Sequence, residues 1–265
     1  MSEMITSDSN PVVKHVAGLK IKKNRIKHKQ FVVEGLRFIQ EALHHAVSIE
    51  YILYSDGLRK IKGGEELFEE IEGQYKMYTL SDKLMVKLSD TENPQGIMAV
   101  INMPEVSIDQ LSSNKNQFLV ILDGIQDPGN MGTIIRTAEG AGADAVLLTK
   151  GSVDPFNSKT LRATMGAIFH FPVISVENNE ELIDYLKKQQ IRLIATHLET
   201  KNTYNDISYK GNIALLIGNE ANGIKDEFLS HADEVIKIPI VGKIESLNAS
   251  VAAGILIYKA LEDRS

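Results

Sequence analysis

Cysteine is absent from the 265 residues. Neither a disulfide framework nor a thiolate metal site is therefore available. The seven histidines do not compensate, because none pairs with another at helical ligand spacing beside a carboxylate. His44 and His45 are adjacent and diverge on a helix, so no bound metal is expected. Long apolar runs are missing too, and the polar N-terminus lacks an apolar core of signal-peptide length. A cytoplasmic protein without membrane attachment is the expectation. No internal repeat and no low-complexity segment interrupts the chain.

Acid is missing locally. No Asp or Glu falls between Asp8 and Glu34, whereas Lys14, Lys20, Lys22, Lys23, Arg25, Lys27 and Lys29 all do. The net charge of −6 argues against a protein that coats nucleic acid indiscriminately. This arm is a basic island inside an acidic chain. A solvated helix face or tail explains such a run. Contact with a phosphate backbone explains it equally well, through release of condensed counterions.

What is present is ordinary for a globular protein, with 43% hydrophobic and 24% charged residues. The length allows one large or two modest domains. A polar start leads into a basic helix after Asn10-Pro11. The expected order is then strand 31–33, helix 34–46, strand 49–54, acidic helix 65–71, strand 75–79, helix 81–88 capped by Ser81, and strand 97–101. This small α/β unit occupies 1–103. Residues 104–117 are polar and lack sustained periodicity, and read as a linker.

The second domain, 118–265, has a stronger pattern. Six short apolar runs read as strands at 118–122, 145–148, 172–176, 191–196, 213–217 and 235–238. Continuous apolar strands suit a parallel sheet covered on both faces. Helices are expected at 133–141, 157–168 and 180–190. A last helix, in which Leu247, Val251, Ile255 and Tyr258 recur at helical spacing, is apolar almost all round and is expected to be buried.

Three loops follow strands, where open α/β sheets bind ligands. Asp127-Pro128-Gly129-Asn130-Met131-Gly132 is neither a dinucleotide fingerprint nor a Walker loop, and Asn130 would cap the helix after it. Arg136 lies among apolar neighbours and is either an exposed-face residue or a guanidinium awaiting an anion. Gly218-Asn219-Glu220-Ala221-Asn222-Gly223 brackets a carboxylate between glycines, as a plain turn or a close ligand approach would require. The third loop runs from Gly242 to Asn248. Ser246 and Asn248 there are capping residues, or polar groups at a ligand-facing helix mouth.

Together NMGTIIR, GNEANG and IPIVGKIESLNASVAAG closely resemble, in order and spacing, the three motifs of the SpoU/TrmH family of RNA ribose 2'-O-methyltransferases. The resemblance covers about 118–262. FVVEG and NPQGI are similar to pieces of the substrate-binding domain that often precedes this catalytic domain. The resemblance implies an α/β fold whose parallel-sheet C-terminal domain carries a deep trefoil knot, preceded by a small ribosomal-protein-like RNA-binding domain. It also implies bound S-adenosyl-L-methionine and a homodimer that brings both protomers' motifs together.

Carried over to this sequence, Thr196, Gly218, Asn219, Ile238 and Leu247 would hold the cofactor. Arg136, Asn130, Glu220, Ser246 and Asn248 match the family's catalytic positions. Arg136 would hold the target phosphate and ease alkoxide formation, either as an electrostatic anchor or as the base itself, and Glu220 would fix Arg136 or the local backbone. Lys20, Lys22, Lys23, Arg25 and Lys27 are the candidate RNA contacts. Ribosomal RNA is the expected substrate, since an added recognition domain is commonest among ribosomal enzymes. Transfer RNA and a non-catalytic RNA-binding role are the alternatives. An enzyme using a nucleotide on a small molecule is disfavoured, because the loops it needs are missing.

Overall fold

The computed structural model describes residues 4–111 and 116–265; residues 112–115 of the expected linker lie outside it. The chain divides into two compact units. One comprises Met1–Glu105 with Phe156–Leu161, the other Val106–Pro155 with Arg162–Ser265.

In the first unit, α1 (Pro11–Gly18) starts on Pro11, with Asn10 Oδ1 accepting from Val12 N at 2.9 Å. The single basic helix expected here is in fact two. α1 ends at Gly18, and α2 (Lys22–His28) begins after a break at Leu19–Ile21. Arg25 makes that break stable. Its Nη1 donates to the carbonyls of Leu19 and Lys20, each at 2.8 Å, so orphan acceptors at the helix end are satisfied.

β1 (Gln30–Glu34), α3 (Leu36–His44), β2 (Ile49–Tyr54), α4 (Gly64–Ile71), β3 (Met77–Thr79), α5 (Asp82–Leu88) and β4 (Ile97–Asn102) complete the unit. The sheet order is β1-β4-β2-β3, with β4 antiparallel to both neighbours and β2 parallel to β3. Val13, Val16 and Leu19 pack with Leu84 and Met85 over Leu53 and Val100.

The second unit contains β5 (Phe118–Asp123), α6 (Pro128–Gly140), β6 (Ala145–Thr149) and α7 (Ser158–Thr164), the first residues of which group with the other unit. β7 (Val173–Val176), α8 (Asn179–Lys188), β8 (Arg192–Thr196), β9 (Ile213–Gly218), α9 (Asp226–Leu229), β10 (Glu234–Ile236) and α10 (Ala249–Arg264) follow. All six strands are parallel, in the order β10-β8-β9-β5-β6-β7. Alternate residues feed two layers. Val120, Leu122 and Leu215 face Ile134 and Ala138 of α6 and Leu256 and Ile257 of α10. Leu119, Ile121 and Leu216 face Leu182, Ile183 and Leu186 of α8.

Two helices differ from the sequence reading. α6 begins at Pro128 rather than near Thr133, and its cap is Asp127, whose Oδ1 accepts from Asn130 N at 2.7 Å. A cap followed by proline at the first helical position is a strong start signal. α10 is buried along one face only, through Ala249, Ala253, Leu256, Ile257 and Ala260. Val251 and Tyr258 are each 52% exposed.

The far end of α10 is tied down by Arg264, which donates to the carbonyls of Tyr209, Gly211 and Asn116 and lies 5.3 Å from the Phe118 ring centre. Burial lowers the pKa of this guanidinium, against a smaller raising effect from Asp144. No helix among the described residues is long and apolar enough to cross a membrane.

Arg25→Met is expected to destabilise the chain by about 2 kcal/mol, the scale of buried charge-assisted hydrogen bonds. Lys22→Gln, Lys23→Gln and Lys27→Gln should each stay within about 0.5 kcal/mol of the wild type. Urea unfolding at constant slope separates the two classes. Equal midpoints would mean that Arg25 holds nothing together.

Candidate active site

β5, β8, β9 and β10 are parallel, so the loops leaving them gather at one edge of the sheet. The loop after β9 is tight. A Cβ on Gly218 would lie 2.5 Å from the carbonyl carbon of Gly223, so glycine is required there by backbone contact. Asn219 and Gly223 exchange two backbone hydrogen bonds, at 2.8 and 3.0 Å. Asn219 Oδ1 accepts from the amides of Ala221 and Asn222, and its Nδ2 donates to Gly124 O at 2.6 Å. Glu220 is thereby lifted on a fixed turn.

At this turn three loops meet through side chains. Asn130 Nδ2 donates to Glu220 Oε1 at 2.9 Å, and Asn248 Nδ2 donates to Asn130 Oδ1 at 2.9 Å. Asn248 Oδ1 accepts from Ser250 N and Val251 N and so caps α10. The capping reading of Asn248 holds, and its amide, left over after capping, goes to Asn130. Asn130 is not the cap of α6. Asp127 takes that task, and the Asn130 side chain is left to bridge Glu220 and Asn248.

Beside this chain of carboxamides opens a cavity of about 530 Å³. Thr196, Gly218, Asn219, Ile238 and Leu247 all line it, as do Glu220 and Ser246. The walls are largely apolar, from Ile217, Ile224, Ile236, Ile240, Ala249 and Ala252. Glu199 and Glu245 add carboxylates, and Lys237 one ammonium. None of these three was singled out in the sequence, because Glu199 and Glu245 lie in loops whose path depends on the folded sheet and Lys237 reads only as part of the strand expected at 235–238.

Arg136 stands apart from the bonded group. It is exposed on α6, and its side chain makes no hydrogen bond or ion pair with the described residues. Glu220 bonds Asn130 and not Arg136.

In the first unit Lys22, Lys23 and Lys27 are exposed, while Lys20 is paired with Asp90 at 2.7 Å. Arg25 differs from the expectation that it contacts RNA. It is 5% exposed and spent on backbone carbonyls. A charge run does not reveal which of its members faces inward. Among the described residues, no group of three or more His, Asp or Glu could hold a metal ion.

The chain is similar to known proteins in sequence and in fold. A model of the SpoU rRNA Methylase family matches residues 117–258, and one of an MRM3-like substrate binding domain matches residues 10–99. The 23S rRNA (guanosine(2553)-2'-O)-methyltransferase RlmP of Bacillus subtilis is 37% identical over 256 residues, 97% of this chain and 98% of that protein. The crystal structure of an AdoMet-bound rRNA methyltransferase from Sinorhizobium meliloti matches with a TM-score of 0.86 at 31% identity, covering 98% of this chain and 97% of that one. The SpoU methyltransferase AviRb from Streptomyces viridochromogenes, in complex with AdoMet, matches with a TM-score of 0.88 at 26% identity, covering 96% and 97%. With a family match over more than half its length and a full-length relative at that identity, the chain belongs to the SpoU rRNA methylase family.

Proposed function

We propose that this protein is an RNA ribose 2'-O-methyltransferase that uses S-adenosyl-L-methionine and acts on ribosomal RNA. The observation that carries the reading is the bonded run Asn248–Asn130–Glu220, which joins three loops at the edge of a cofactor-sized cavity. Ribosomal RNA is favoured because RlmP of Bacillus subtilis and a uridine(2479) enzyme of Streptomyces viridochromogenes are both named as 23S rRNA 2'-O-methyltransferases. The match of residues 10–99 to a substrate-binding domain supports the same reading.

The residues present fit the cofactor. A cavity of about 530 Å³ suits a nucleoside joined to an amino acid. The bare backbone at Gly218 lets a flat ring approach closely. Glu199, Glu220 and Glu245 supply negative charge for a cationic ligand. When bound, S-adenosyl-L-methionine supplies a methyl group already activated by the sulfonium.

The work left to the chain is to position the ribose hydroxyl and to ease loss of its proton. Arg136 is free to take the target phosphate by its planar fork of donors. The role assigned to it is to stabilise negative charge at the attacking oxygen. Ser246 and Asn248 orient the ribose. Glu220 orders Asn130 and the turn around it, the local-backbone task among the two expected from the sequence rather than the hold on Arg136.

A homodimer belongs to the same proposal. Val251 and Tyr258 share one exposed face of α10, with Gly254 open between them. Val241 and Ile244 in the preceding loop are exposed as well. A second copy covering this face would bring the motifs of two protomers together. The trefoil knot and a cytoplasmic setting are carried by family membership alone.

S-adenosyl-L-methionine at a hundredfold excess over its Kd should stabilise the chain by about 2.7 kcal/mol, raising Tm, while NAD leaves it unchanged. Arg136→Ala should keep that shift and abolish methyl transfer to ribosomal RNA. A shift with NAD alone would overturn the assignment, and loss of both properties in the variant would make Arg136 structural.

Replacing Lys22, Lys23 and Lys27 with Gln should weaken RNA binding across sequences. The slope of log K against log salt should flatten by about 0.7 for each phosphate that is no longer neutralised. An unchanged slope would reduce the arm to a solvated surface.

Tyr258→Asp should convert a dimer to a monomer in sedimentation equilibrium. A monomeric wild-type protein would remove the dimer from the proposal.

A further inference from the structure

Beneath the loop that carries Glu220 lies a carboxylate to which the reaction above assigns no task. Asp123 ends β5, is 1% exposed and pairs in register with Gly218, where β9 ends. Its Oδ1 accepts from Thr149 Oγ1 at 2.7 Å and from Lys225 Nζ at 2.8 Å. Its Oδ2 accepts from the Lys225 backbone amide at 2.9 Å. Lys225 Nζ also reaches Lys150 O at 3.4 Å.

Gly218 and Lys225 are the two ends of the loop. The sheet register holds its entrance, and one buried carboxylate holds its exit twice, by side chain and by backbone. The residue after Asp123 adds a third hold, since Gly124 O accepts from Asn219 Nδ2. Between these ties the loop bonds largely to itself, through Asn219 and Gly223, and reaches outward through Glu220 to Asn130. Every residue from Gly218 to Ile224 lines the cavity.

A buried carboxylate without its cation is costly, so the loop cannot slide without breaking a charged contact. We propose that Asp123, acting through Lys225, is a positioning residue that sets the cofactor affinity of the cavity and the orientation of Glu220. The proposal rests on the methyltransferase reading. A residue that merely held the fold together would lower stability and leave the folded protein's affinity and turnover as they were. A positioning residue changes affinity and turnover in protein that is still folded.

Three variants of the full-length protein test this. Asp123→Asn keeps the shape and removes the charge. Lys225→Met removes the cation but leaves the Thr149 hydroxyl and the Lys225 backbone amide on the carboxylate, and urea unfolding reports what the lost charge costs in stability. Lys225→Arg keeps a cation and serves as the rescue. Calorimetric titration with S-adenosyl-L-methionine gives Kd, and initial rates on ribosomal RNA give kcat and KM separately.

Asp123→Asn and Lys225→Met are expected to raise the cofactor Kd on the order of tenfold or more, the scale of small misplacements in a site. They should also lower kcat at saturating cofactor, and Lys225→Arg should recover most of both. Should Asp123→Asn fail to fold, Lys225→Met decides alone. A folded Lys225→Met with wild-type Kd and kcat and a lowered Tm would overturn the proposal, leaving a structural anchor. Wild-type protein that binds no S-adenosyl-L-methionine would instead overturn the cofactor reading itself, and this proposal with it.

Discussion

Parallel pairing of β5 with β9 is the constraint on which the second unit depends. Their register runs from Phe118 against Ile213 to Asp123 against Gly218, so both strands end at the same level. Connections leave this pair in opposite directions across the sheet, β6 and β7 to one side and β8 and β10 to the other. Neighbouring strands whose connections diverge leave a crevice at their carboxyl ends. The first two motif loops leave the ends of these two strands, and the third returns to the same edge through α10. Burial of both sheet faces fixes the register, because a slip by one residue would exchange the two apolar layers.

Much of this was legible because it rests on local pattern. Six short, mainly apolar runs rich in Val, Ile and Leu suit buried strands, and all six appear within a residue or two of their expected bounds. The loops were legible through their glycines and carboxamides. The task of each carboxamide was not. Asn130 resembles a cap in the linear sequence, but Asp127-Pro128 three residues earlier starts α6 first. Once displaced from capping, its amide becomes a bridge between residues 90 and 118 positions away. No local rule contains that bridge. The same holds for Lys225 and Asp123, which are 102 positions apart. α10 misled for a different reason. Its composition is apolar on every side, and composition alone does not say which face the sheet covers.

The basic arm shows how like charges are sorted by geometry. Arg25 and Lys23 are close in sequence, but one is buried on helix carbonyls and the other faces solvent. Arginine suits the buried position, because its fork reaches two acceptors at once and it is weakly hydrated for its charge. Lysine at the surface keeps its ammonium in water. The arm therefore splits into an internal fastener and exposed cations, which a count of charges merges.

Arg264 has a bearing on the order in which the molecule assembles. Its guanidinium bonds Asn116 O, 148 positions upstream, and stacks over Phe118 at the head of the central strand. The strand at the centre of the sheet is made before the side chain that fastens its leading end, 148 positions further on. The first unit's sheet is complete once β4 has emerged. The second must wait, with apolar strands exposed, for β10 and for the α10 that covers one face. Loss of the Arg264 side chain would thus be felt at residue 116, far away in sequence within the same unit.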